Sequence, residues 1–248
     1  MYRIAEALVL YLVIFFPGIA AVPSPEWLVN GMEQPIPFSM YHILGRTVSY
    51  TLPSLMLVLF FVSRELKLTR EERGNIRPAL LGSQAPAARL YSKYLTALKM
   101  LIPRTADIIP FIITLSGLVI LGFLISLSFT FFWDAPPSPL VEGPAHIAGW
   151  LAMIASCLGT GYLEETYFRY YLLSRLESIS PFPAVRAALS ALLFAVCHLY
   201  YGPGAILNAA CAGVFLSFMF IRFKSLPGIA LAHACYNMFV YASGITGA

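Results

Sequence analysis

The sequence predicts an all-α, polytopic membrane protein of about seven transmembrane helices, with one further amphipathic helix at the interface, and three observations predict it. Hydrophobic residues make up 59% of the 248 and charged residues only 11%, whereas a soluble domain carries about a quarter charged residues. The apolar residues gather into stretches long enough to cross a hydrocarbon core of roughly 30 Å as helix, which takes about 20 residues. The basic residues then fall on one side of the resulting topology, as Lys and Arg do in membrane proteins.

The first stretch, 4–22, follows Arg3 and has Glu6 near its end. It has the layout of a signal peptide, but its loss would reverse the side on which all later segments begin, so it reads as a retained span. Residues 23–45 contain several prolines, Glu26, Glu33, and the interface-suited aromatics Trp27 and Tyr41, and read as an external loop. A second span covers 47–63. The one long polar stretch, 64–104, opens with Arg70, Glu71, Glu72 and Arg73, a solvated linker. It continues with Leu90, Tyr91, Tyr94, Leu95, Leu98, Leu101 and Ile102 on one helical face, with Arg89 and Lys93 off it. That pattern suits a helix lying on the inner leaflet, or one binding a partner. The remaining spans are 108–133, closed by Pro136, Pro137 and Pro139, then 147–173, 184–201, 204–221 and 226–244.

With the N-terminus inside, Arg3, the basic residues from Arg64 to Arg104, and Arg169, Arg175, Arg186, Arg222 and Lys224 lie on or toward the cytoplasm. Of the 16 Lys and Arg, Arg46 alone is outside, beside loops holding Glu26, Glu33, Asp134 and Glu142. The expected location is a bacterial inner (cytoplasmic) membrane with a cytoplasmic N-terminus. The net charge of +4 follows loop position and forms no reading helix, which argues against nucleic acid as a partner. Cys157, Cys197, Cys211 and Cys235 fall inside apolar spans with no CxxC spacing and read as small core residues. The chain divides into an N-terminal membrane region, 1–145, with its basic segment 64–104, and a core, 146–248, in which the chemistry lies.

Ionisable residues inside spans are expensive and usually functional, and here they cluster in that core. The fourth span carries Glu164, Glu165 and Arg169, the fifth His198, and the seventh His233 and Asn237. Counting back to the nearest basic anchor at about 1.5 Å per residue puts Glu164 about 16 Å, His198 about 18 Å and His233 about 14 Å from the cytoplasmic side. Three helices therefore bring a carboxylate and two imidazoles to one depth. Glu165 and Arg169 are i,i+4 and can pair; His233 and Asn237 share the same spacing.

Such a constellation suits water chemistry on a carbonyl. A carboxylate in an apolar setting is the stronger base and a nearby guanidinium keeps it ionised, so Glu164 can take a proton from water. A histidine can share that water, and Asn237 with His233 can stabilise an oxyanion. Each residue also has a plainer reading: an ion pair for Glu165 with Arg169, a helix contact for His198, packing for Phe194, Tyr162, Tyr167 and Tyr170. The coincidence at one depth favours chemistry. His42 and His146 are given no role.

The three segments Glu164-Glu165-x-x-x-Arg169, Phe194-x-x-x-His198 and His233-x-x-x-Asn237 resemble the motifs of the CAAX protease and bacteriocin-processing family, also called the abortive-infection family, which includes the type II CAAX prenyl endopeptidases. The resemblance spans roughly 147–244. It implies an intramembrane glutamate endopeptidase acting on a membrane-anchored or lipidated peptide. Glu164 and His198 would activate water, His233 and Asn237 stabilise the oxyanion, Arg169 orient the carboxylates, and Glu165 support them. No cofactor is expected. Zinc is the alternative, since two His and a Glu are adequate ligands, although HExxH is absent, as are a rhomboid-type serine motif and an intramembrane Asp pair, Asp107 and Asp134 lying at span ends. A proton-coupled transporter and a non-catalytic scaffold of the same fold are the competing functional readings.

Overall fold

The computed structural model describes residues 2–20, 38–66, 86–132 and 143–245, and every regular element among them is helical. The readings made for residues 21–37, 67–85 and 133–142, including the Pro-rich breaks and the Arg70–Arg73 linker, lie outside the described residues. The helices are α1 (Tyr2–Ala20), α2 (Met40–Glu65), α3 (Pro86–Lys99), α4 (Ile108–Phe132), α5 (Ile147–Leu176), α6 (Pro183–Val196), α7 (Pro203–Phe223) and α8 (Leu226–Ile245).

Four of these, α2, α4, α5 and α7, are long and apolar enough to cross a membrane. The chain is an integral membrane protein, and its outer surface bears this out: Val13 and Phe16 on α1, Ile109, Ile120 and Phe123 on α4 and Phe218 on α7 all face outward. So much exposed apolar surface requires a lipid partner. Of the remaining apolar helices, α1 and α8 have 19 and 20 residues and α6 has 14.

Two boundaries differ most from the sequence reading. Helix α2 begins at Met40, inside the stretch read as loop, because the Ser39 hydroxyl accepts the His42 N–H at 3.3 Å and caps it. It passes Pro53 after a wider π turn at Thr47–Thr51; such a turn fits a ring that can neither donate to the ladder nor sit against the preceding turn. Helix α6 stops at Val196, so the span expected to reach 201 is cut short. Residues Leu199–Tyr201 form a 3-10 turn, Gly202 adopts φ 90°, and Pro203 opens α7. Fourteen residues rise only about 21 Å, short of a hydrocarbon core of roughly 30 Å. Irregular backbone within such a core must be enclosed by protein or line a cavity, and Leu199, Tyr200 and Tyr201 are each half-buried.

The interfacial stripe on α3 is divided. Tyr94 and Leu98 pack toward the core with Ala97 fully buried, and the Tyr94 hydroxyl contacts Met56 Sδ of α2 at 2.9 Å. Tyr91, Leu95 and Ile102 remain exposed. Among the cysteines, Cys157 and Cys197 are buried, Cys211 is half-buried, and Cys235 faces outward rather than into the core.

One apolar core joins α1 and α2 to α5–α8. The Tyr11 hydroxyl donates to Leu193 O at 2.7 Å and the Tyr167 hydroxyl to Ala7 O at 2.8 Å. Glu6, read from sequence only as a charge near a span end, is a hub: it accepts from Tyr171 Oη at 2.9 Å, pairs with Arg64 at 3.1 Å and lies 4.0 Å from Arg175. Arg175 in turn pairs with Glu65, which lies 3.9 Å from Arg3. Charges from α1, α2 and α5 thus meet at one end of the bundle. At the start of α4, Asp107 accepts the Ser225 hydroxyl at 2.5 Å and so ties that start to the start of α8.

Candidate active site

The site is built where α5, α6 and α8 meet. Close approach of α5 and α8 depends on Gly161: a Cβ there would stand 2.7 Å from Ala230 O and 3.1 Å from Ala234 Cβ. Small residues let helix backbones approach in membranes, and one turn beyond Gly161 that proximity sets Glu164 and Glu165 against His233. A second contact works the same way, since a Cβ on Gly213 of α7 would lie 2.9 Å from the Ala191 Cα of α6.

Immediately after the glutamates, Thr166–Leu172 wind as a π segment, a departure from α-helix that often marks functional sites. It carries Arg169, which is fully buried with Glu165. Arg169 Nε lies 3.2 Å from Glu165 Oε2, an ion pair without hydrogen-bond alignment, and Nη2 donates to Gly213 O at 3.4 Å. The guanidinium also lies over Phe194, 4.5 Å from the ring centroid, and over Phe168 at 5.6 Å. A charge removed from water this completely is stable only when paired, and the two residues neutralise each other.

Glu165 has a second partner. His233 Nδ1 lies 2.7 Å from its Oε1, and because a carboxylate only accepts, Nδ1 carries the proton. His233 Nε2 is 3.6 Å from Glu164 Oε2. Both oxygens of Glu165 are therefore engaged inside the protein. Glu164 keeps 12% of its side-chain surface open and makes no hydrogen bond among the described residues. Two adjacent carboxylates are thereby divided into a fixed one and a free one.

His198 stands just past the end of α6. Its Nδ1 lies 2.8 Å from Phe194 O, one of the carbonyls that a helix C-terminus leaves unpaired. That carbonyl only accepts, so Nδ1 is the donor and Nε2 of the neutral ring is an acceptor. The imidazole is half-buried. Asn237 lies one turn beyond His233 on α8, half-buried, with its amide unbonded among the described residues.

Phe194, read from sequence as packing, packs against the cluster. Its ring, 2% exposed, contacts His198 at 4.6 Å and His233 at 5.9 Å between centroids, besides the Arg169 guanidinium, while its carbonyl orients His198. The signal was present in the i,i+4 spacing of Phe194 and His198. The structure thus brings Glu164, Glu165, Arg169 and His233 into direct contact and joins His198 to them through Phe194. For Asn237 it gives position on the same helix as His233 and no direct contact with the cluster. His42 and His146 lie at the N-terminal ends of α2 and α5, away from it. Among the described residues, no three His, Cys, Asp or Glu side chains are arranged to hold a metal ion.

An all-helical integral membrane protein that encloses two carboxylates, a guanidinium and two oriented imidazoles belongs by class with proteins that carry a polar site within their helices. A family model described as type II CAAX prenyl endopeptidase Rce1-like matches residues 146–239. The resemblance carried by the three motifs is thus borne out for this stretch, which is similar to a peptidase family and contains the whole cluster. No curated protein and no solved structure matches the chain.

Proposed function

We propose that the protein is an intramembrane endopeptidase that hydrolyses a membrane-anchored or lipidated peptide with water activated by Glu164. One observation carries the reading: of the paired glutamates, Glu165 is locked by Arg169 and His233, while Glu164 is left partly open beside His233 Nε2. Residues 146–248 form the reacting core and 1–145 its membrane scaffold. The protein crosses a bacterial inner membrane with a cytoplasmic N-terminus, α1, α6 and α8 joining the four longer helices for seven crossings.

In this mechanism water lies between Glu164 and His198. Glu164 takes one proton while His198 Nε2 accepts a hydrogen bond from the other. The hydroxide adds to the carbonyl carbon, and the resulting oxyanion is held by the Asn237 amide and by His233 as an imidazolium beside the Glu165 carboxylate. The proton on Glu164 then passes to the departing amine as the C–N bond breaks, which restores the carboxylate. Preorganised donors of this kind commonly supply several kcal/mol. No step requires a metal.

The test is cleavage of membrane-anchored and prenylated peptides by the purified protein in lipid, with Glu164→Gln and with EDTA. Cleavage lost in the variant and retained in chelator is the expected result. Activity that disappears with EDTA and returns with zinc would overturn the metal-free mechanism, and a fully active Glu164→Gln would overturn the role of Glu164.

A further inference from the structure

A cavity of about 380 Å³ opens at the charged end of the bundle, among α2, α5, α6 and α7. Its wall is mostly apolar, but it contains four cations, Arg169, Arg175, Arg186 and Lys224, against two carboxylates, Glu65 and Glu177. The ion pairs in it are incomplete. Arg175 pairs with Glu65 and Arg186 with Glu177 at 2.6 Å, yet Arg169 Nη1, Arg175 Nε and Arg186 Nε have no hydrogen-bond partner among the described residues. Lys224 is exposed at the mouth, its Nζ 5.5 Å from the Phe220 ring, and makes no ion pair among the described residues.

Buried guanidinium nitrogens without acceptors are costly, and their collection around one cavity marks a place for an anion with several oxygens. Arg suits phosphate because its donors form a fixed fork, and Lys adds a mobile point charge. The position narrows the source. The cavity lies where the helices end in Glu65, Leu176 and Phe223 and where α6 begins, the level of lipid headgroups, and basic pockets between membrane helices bind anionic headgroups. Its apolar walls suit the glycerol and upper acyl region beneath a phosphate.

We propose that this cavity is a binding site for the phosphate of an anionic phospholipid headgroup, with Arg186 and Lys224 at the mouth and Arg169 and Arg175 at the buried side. Arg169 also holds Glu165, so the headgroup sits one side chain away from the acid–histidine cluster. The inference stands apart from the peptidase reading, because it is read by lipid retention alone.

The experiment is native mass spectrometry of the intact protein released from detergent, with phosphatidylglycerol, with phosphatidylcholine and with inorganic phosphate. The wild type is compared with an Arg186→Gln, Lys224→Gln double variant, whose changes are confined to the mouth. At about 1 kcal/mol for each basic residue near a headgroup, loss of two predicts retention of phosphatidylglycerol weakened roughly tenfold or more. Phosphatidylcholine should be retained poorly by both. Equal retention of phosphatidylglycerol by both proteins would overturn the site. Inorganic phosphate bound in place of lipid, with phosphatidylglycerol unable to displace it, would overturn the lipid assignment in favour of a soluble anion.

Discussion

Glu164 and Glu165 are neighbours of identical chemistry in different surroundings, one locked between Arg169 and His233 and the other partly open. Removing the charge of Glu165 strands Arg169 in an apolar interior, and removing that of Arg169 leaves Glu165 with His233 alone; breaking such a pair typically costs about 3–5 kcal/mol. Arg169→Met should therefore lower thermal stability in detergent sharply, whereas Glu164→Gln, with its side chain partly open and unbonded, should melt close to wild type. If Glu164 is the general base, peptide cleavage in that stable variant should fall by about 10²–10⁴. A variant that loses stability and activity together would instead assign Glu164 a structural role. Phe194→Leu tests another part: it keeps an apolar side chain and the carbonyl that holds His198 but removes the ring beneath Arg169 and beside both imidazoles. The expected outcome is a folded protein with reduced kcat, measured on the same peptides. The spacing of Glu165 with Arg169 was legible in the sequence because i,i+4 places them on one helical face. The link from Glu165 to His233 was not legible, since it runs between residues 68 positions apart and rests on how closely two helices approach.

Helix proximity is the next scale, and Gly161 governs it. Because a Cβ at that position would lie 2.7 Å from a backbone oxygen rather than from a flexible side chain, neither helix can give way without separating α5 from α8. Gly161→Val should cost about 1–3 kcal/mol or more by overpacking. It should also reduce cleavage further than the stability loss explains, since it opens the contact between Glu165 and His233; melting and activity measured on one preparation separate the two effects. Apolar content was enough to foresee helices, but not where α6 would end. An apolar run looks the same whether it continues as helix or turns, and here Leu199, Tyr200 and Tyr201 continue the run while the backbone has already left the helix. The Gly202–Pro203 pair was the available punctuation, because φ near 90° favours glycine and proline suits a first helical turn. The π segment at Thr166–Leu172 left no comparable mark: its residues Tyr167, Phe168 and Tyr171 would serve equally well in an α-helix core.

At the scale of the whole molecule, charge and apolarity combine to orient the chain. Arg3, Arg64 and Arg175, far apart in sequence, converge with Glu6 and Glu65 at one end of the bundle. Arg186 and Lys224 line the cavity that Arg175 shares. All of these were placed toward one side by the distribution of basic residues, and the structure brings them to one end. At the opposite end, a Cβ on Gly149 would contact Pro144 at 2.7 Å and Phe38 at 2.9 Å, so the starts of α2 and α5 lie together. Single cysteines in a cysteine-free background, labelled in sealed inside-out and right-side-out vesicles, test the orientation that follows. Tyr2 and Arg222 mark the basic end, and Tyr41 and Ile147, 83% and 76% exposed, mark the other. Tyr2→Cys and Arg222→Cys should react only with reagent on the cytoplasmic side, and Tyr41→Cys and Ile147→Cys only from outside. Opposite labelling of all four would invert the molecule, leaving its fold intact but placing the basic cavity on the wrong face for the anionic headgroups of the inner leaflet. Labelling of Tyr2 and Arg222 from opposite sides would overturn the crossing count, because an odd number of passes separates the start of α1 from the end of α7 only if one helix between them fails to span.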